Sequence, residues 1–96
     1  MGDSIRIAIE DLFDSSGTLP TQSGKLLVQR AEVIVILDRT SGQQAVVYGL
    51  DTMHRQIEKA NYFEPPLMLV VEFDEESSIL ARLFGLIQAV KTDDPE

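Results

Sequence analysis

The only histidine of the chain, His54, is the first residue to test for chemistry, because a histidine flanked by carboxylates can act as an acid–base pair. A helix beginning at Asp51 would place Asp51 three residues before His54 and Glu58 four residues after it. A surface histidine in the first turn of a helix explains the same spacing, and we favour this interpretation. With no second histidine and no cysteine, the sequence lacks the usual zinc and transition-metal ligands. We therefore expect a non-enzymatic protein with no catalytic residues, no metal and no cofactor.

Four carboxylates, Glu72, Asp74, Glu75 and Glu76, form the densest charged group in the sequence. A calcium loop needs alternating oxygen ligands around a glycine turn, and no glycine lies here. Negative charge before a helix is favourable, so these acids are predicted to cap a helix that follows them. Their second predicted role is to face a partner with a basic surface.

Gly17, Gly24 and Lys25 resemble a phosphate-binding loop only superficially. Six residues separate the two glycines where that loop has four, and Leu26 follows Lys25 where it has serine or threonine. The sequence therefore predicts no nucleotide site at this position.

Composition limits the classes of partner. The 96 residues make one domain, and sixteen acids against eight bases leave a net charge of −8. Residues 64–96 carry eight of the acids and two of the bases. Because nucleic-acid binding needs clustered Lys and Arg, we expect no direct nucleic-acid contact. No apolar run is long enough for a membrane span and no signal peptide is recognisable, so we expect no membrane contact and a cytoplasmic location.

The first half of the chain gives one ambiguous segment and one clear hairpin. Residues 4–15 fit both strand alternation and helical spacing, and we favour a helix with Ser4 as its N-cap. Residues 14–24 are predicted to be a loop. Lys25–Asp38 is predicted to be extended, with Val33–Leu37 as a central strand and Leu26–Glu32 toward an edge. A turn at residues 38–43 then leads to a second strand, Ala45–Leu50.

The second half is predicted to be helix, strand, helix. A helix from Asp51 carries an apolar stripe (Met53, Ile57, Ala60 and Phe63) and ends before Pro65 and Pro66. Leu67–Phe73 is predicted to be a strand that makes a parallel crossover with Ala45–Leu50. The whole chain is predicted to be an α+β two-layer sandwich, a small three- to four-stranded sheet with helices on one face. Its single domain spans residues 1–91, and residues 92–96 form a disordered acidic tail.

The last helix, residues 75–91, carries more apolar surface than an ordinary surface helix. Two adjacent rows contain its large side chains: Ile79, Leu83, Leu86 and Val90 in one, and Leu80, Phe84 and Ile87 in the other. Either one core covers both rows, or one row packs on the sheet and the other meets a second molecule. We favour the second alternative, with all seven residues as a protein interface, and leave open which row faces outward.

Two functions fit these features. The first is a small acidic interaction module, an adaptor, assembly factor or chaperone-like protein, that uses the last helix to form a homodimer or to bind a partner protein. The alternative is an acidic inhibitor or immunity-type protein, a nucleic-acid mimic in one form, that blocks a basic protein surface.

Overall fold

The computed structural model describes residues 3–48 and 67–92. They form a four-stranded mixed sheet with two α-helices and one 3-10 helix, so the predicted α+β class is confirmed. The elements are β1 (Asp3–Ala8), the 3-10 helix (Ile9–Leu12), α1 (Gln22–Arg30), β2 (Val33–Asp38), β3 (Gln44–Tyr48), β4 (Leu67–Phe73) and α2 (Leu80–Thr92).

The strand order is β1-β4-β2-β3, with β4 parallel to both β1 and β2. The predicted parallel crossover from β3 to β4 is wrong. A tight hairpin makes β3 antiparallel to β2, and β2 pairs parallel with β4, so β3 and β4 run in opposite directions. The inner pair is β2 and β4, whose sequences each begin with five consecutive apolar residues, 33–37 and 67–71.

The predicted helix over residues 4–15 is also wrong, because residues 3–8 form the edge strand β1. In its register with β4, Ile5 lies opposite Leu69 and Ile7 opposite Val71. Pairing with an apolar inner strand decides between two periods that the local sequence fits about equally.

Helix α1 corrects a second prediction, since Leu26 to Arg30 are helical and not extended. The side chain of Thr21 caps this helix by accepting a hydrogen bond of 2.9 Å from the Gly24 N–H. Gly24 and Val28, four residues apart, are its buried residues, and most of the rest face solvent. The loop predicted for residues 14–24 ends at Thr21, the N-cap of α1, so residues 22–24 are helical and not part of the loop.

The hairpin of β2 and β3 is confirmed. The Asp38 N–H donates to the Gln43 carbonyl at 2.8 Å, and Gly42 takes a positive φ of 79° in the turn. The end of the predicted second strand, the helix from Asp51 and the Pro65–Pro66 break lie outside the described residues.

Helix α2 begins at Leu80 and not at Glu75, so the predicted capping role of the acids is wrong. Its first turn contains no acidic residue. The Ser77 N–H donates to the Asp74 carbonyl at 3.0 Å, which closes a turn over the acidic residues before the helix. α2 ends at Thr92, one residue past the predicted end, and residues 93–96 lie outside the description.

The core joins one face of the sheet to both helices. Ile34 and Leu69 are opposite each other in the register of β2 and β4, as are Ile36 and Val71. All four belong to one buried cluster, together with residues of the 3-10 helix and its C-cap, of α1 and its C-cap, and of α2: Ile9, Leu12, Phe13, Val28, Ala31, Leu83, Leu86 and Ile87.

Candidate binding groove

The seven α2 residues predicted as an interface divide into three groups. Leu83, Leu86 and Ile87 are buried in the core. A second group is half-buried and packs against it: Ile79, Leu80 and Val90. Phe84 is 47% exposed and is the only large apolar side chain of α2 that is exposed within the described residues. One core therefore takes up most of both rows.

Beside the buried part of α2, an open groove of about 490 Å³ lies between this helix, α1 and the 13–20 loop. Its volume falls in the range of roughly 300–1,000 Å³ that is usual for ligand sites. Apolar side chains from the loop and the helix line it: Phe13, Pro20, Leu86 and Val90. Phe13 and Leu86 are themselves buried, so the groove is lined partly by side chains that the core holds in place.

The 13–20 loop is held in shape by its own hydrogen bonds. Phe13 and Pro20 form an isolated antiparallel bridge, and the Asp14 N–H donates to the Leu19 carbonyl at 2.7 Å. Asp14 Oδ1 accepts hydrogen bonds from the Ser16 hydroxyl at 2.6 Å and from the N–H groups of Ser16, Thr18 and Leu19. These bonds, the Ser16 hydroxyl first, lower the pKa of Asp14 from its ordinary value. The loop is therefore preorganised as one wall of the groove.

Two cations, Lys25 from α1 and Arg82 from α2, line the same groove, and none of the described residues that line it is acidic. Both side chains are exposed, and neither forms an ion pair with any carboxylate in residues 3–48 or 67–92. In a chain with twice as many acids as bases, this groove has a local positive charge. It can therefore attract an anionic group beside an apolar surface.

Gly85 and Ala89, four residues apart on α2, leave room along the groove. A Cβ added at Gly85 would have no heavy atom of the described residues within 4 Å outside its own helix. The position is open to a bound molecule.

The four predicted partner-facing acids lie in two settings. Glu72 pairs with Arg6 at 2.8 Å, and Asp74 pairs with Arg39 at 3.0 Å. Glu75 and Glu76 lie exposed in the turn that follows β4.

The other candidate chemistry gives no assembled site among residues 3–48 and 67–92. No three carboxylate or histidine side chains there come together in a way that could hold a metal ion. Gly24 and Lys25 belong to the first turn of α1, where Gly24 is buried against the Leu12 carbonyl. His54, Asp51 and Glu58 lie outside the described residues.

Sequence reasoning found Leu86 and Val90 of the groove but missed its cations. Lys25 was predicted to lie in the extended segment 25–38, and the residues predicted as an interface on the last helix did not include Arg82, Gly85 or Ala89. The signal was present in the spacing of Arg82, Gly85 and Ala89 along one side of the helix.

No protein-family model, curated protein or solved structure matches this chain. Within the described residues, no helix has both the length and the hydropathy needed to cross a membrane.

Proposed function

We propose that this protein is a non-enzymatic interaction module that binds a partner protein through the groove beside α2. The observation that supports this proposal is an open groove with an apolar lining, two cations that pair with none of the described carboxylates, and a wall held in shape before any ligand arrives. A preformed wall lowers the ordering cost of binding. A cytoplasmic location, predicted from composition alone, is part of this proposal.

Binding of a partner protein in the groove has more support than a homodimer formed through the outer face of α2. A stable interface buries roughly 800 Å² on each partner. Of the predicted interface residues on α2, only Phe84 is exposed. Three of the others, Leu83, Leu86 and Ile87, are buried in the core. A homodimer through this helix would therefore need further surface from elsewhere in the chain.

Site-specific photo-crosslinking in the cells that make the protein tests the proposal. A photoreactive side chain at position 85 points into open space and should leave the fold intact. We expect it to form an adduct with a partner protein. The same group at position 46, an exposed valine on β3, is the control and should form none. Adducts at position 46 but not at 85 would contradict the proposal, and an adduct of twice the chain mass would favour the homodimer.

A second candidate function, the acidic inhibitor that covers a basic surface, has one specific observation in its favour. Glu75 and Glu76 do not cap α2, so the structure gives these exposed charges no role in folding. Binding to a basic partner should weaken steeply with salt and should weaken again in the Glu75→Gln, Glu76→Gln double variant. Binding that is insensitive to both changes would remove this candidate.

A further inference from the structure

We infer that the groove accepts an acidic amphipathic peptide segment, with its carboxylates on Lys25 and Arg82 and its apolar side chains on the groove lining. This inference rests on the proposed function and adds the chemistry of the occupant. Charge complementarity is the first argument. Among the described residues, two cations and no acid line the groove, although residues 64–96, which include Arg82, carry a net charge of −6.

The second argument is that both cations are available. Arg6 pairs with Glu72, and Arg39 pairs with Asp74 and Glu10, so these two arginines are occupied within the fold. Lys25 and Arg82 have no such partner among the described carboxylates. An arginine can bind a carboxylate with two parallel hydrogen bonds, and a lysine can add a second, more adaptable contact.

The shape and the apolar lining of the groove also suit a peptide segment. The groove is open at Gly85 and is lined along α2 from Arg82 to Val90, which suits a chain segment that runs along the helix. Phe13, Pro20 and Val90 offer apolar surface beside the charges. A segment that alternates acidic and apolar side chains would satisfy both parts, whereas a purely acidic segment would leave the apolar lining exposed.

The test is a selection of displayed random twelve-residue peptides on the full-length chain, followed by affinity measurements on the enriched peptides. We expect the enriched peptides to combine Asp or Glu with large apolar residues. Their affinity should fall at least tenfold in the Lys25→Glu, Arg82→Glu double variant. Arg30→Glu is the charge control, because Arg30 is exposed at the end of α1 and does not line the groove. It should change the affinity less than twofold.

The Gly85→Trp variant separates failure of this inference from failure of the proposed function. An indole at position 85 would occupy the groove while both cations remain in the chain, and circular dichroism would verify that the variant is folded. Peptides that lose binding to Gly85→Trp but are neutral or basic, or are insensitive to the charge reversal, would overturn the acidic occupant alone. Enrichment of no peptide, or binding unaffected by Gly85→Trp, would overturn the groove as a binding site as well.

Discussion

The two helices that border the groove each contain a glycine, and the two glycines have opposite surroundings. A Cβ at Gly24 of α1 would overlap the carbonyl oxygen of Leu12, whereas a Cβ at Gly85 of α2 would meet no other described element within 4 Å. At Gly24 the chain is packed so closely that only glycine fits. At Gly85 the same residue type borders empty space. The contrast shows that the groove is an opening beside a tightly packed contact. A glycine in the sequence therefore does not by itself distinguish close packing from open space.

The largest expected effect comes from Gly24→Ala. The added methyl group must displace the backbone of the 3-10 helix or of α1, and overpacking of this kind costs roughly 1–3 kcal/mol. We expect the free energy of unfolding, measured by urea denaturation, to fall by about that amount. A variant as stable as the parent chain would mean that α1 is not packed against Leu12 as described.

The matched change Gly85→Ala should act in the opposite direction. Alanine is favoured over glycine in the middle of a helix by about 1 kcal/mol, and here its methyl group meets no neighbour. We expect the free energy of unfolding to rise by up to that amount and peptide binding to be retained. A loss of stability would show that α2 is packed against something at this position.

The charges extend the comparison to paired and unpaired arginines. Arg39 contacts Asp74 and Glu10, and an exposed ion pair contributes roughly 0–1 kcal/mol. Arg39→Ala should therefore lower the free energy of unfolding slightly, and by more at low salt than at high salt. Arg82→Ala should leave stability unchanged at both salt concentrations while it weakens peptide binding. Equal and salt-dependent losses for the two variants would show that Arg82 is engaged within the fold.

The smallest effect concerns the loop wall and its dependence on pH. Hydrogen bonds from Ser16 and neighbouring residues lower the pKa of Asp14 in the folded chain below the ordinary value of 3.8. A lowered pKa means that the ionised carboxylate stabilises the folded state above pH 3.8, and that this contribution is lost as the pH falls through the folded-state pKa. Asp14→Asn should be slightly less stable than the parent at pH 6, and the difference should shrink below pH 3.8. A difference that is constant from pH 6 to pH 2.5 would contradict this role.

The sequence predicted the parts of the fold where local and long-range preferences agree. The apolar runs of β2 and β4 and the turn at Gly42 required no knowledge of their partners. Residues 3–8 required it, because the two periods in Ile5, Ile7 and Ile9 are separated only by pairing with β4. The prediction for residues 26–30 was also wrong. Their apolar side chains fit a strand, and the cap that Thr21 provides for a helix was not recognised in the sequence.

The candidate site was harder to predict because a groove is a property of several elements at once. The excess apolar surface of α2 could be recognised in the sequence. The core buries part of that surface, including Leu86, and leaves the rest partly exposed. Lys25, Phe13 and Arg82 come from separate segments, and no spacing in the sequence connects them. Only the packing of α1 and the 13–20 loop against α2 brings them together.

The central claim is that the groove, and not the acidic turn or the outer face of α2, is where this protein binds. Chemical-shift mapping with an isotope-labelled full-length chain and an enriched peptide tests it most directly. The account predicts saturable shifts of backbone amides at Thr18, Lys25, Gly85 and Ala89, with Val46 and Glu76 unchanged. Saturable shifts centred on Glu75 and Glu76 or on Phe84, with the groove amides unchanged, would contradict it.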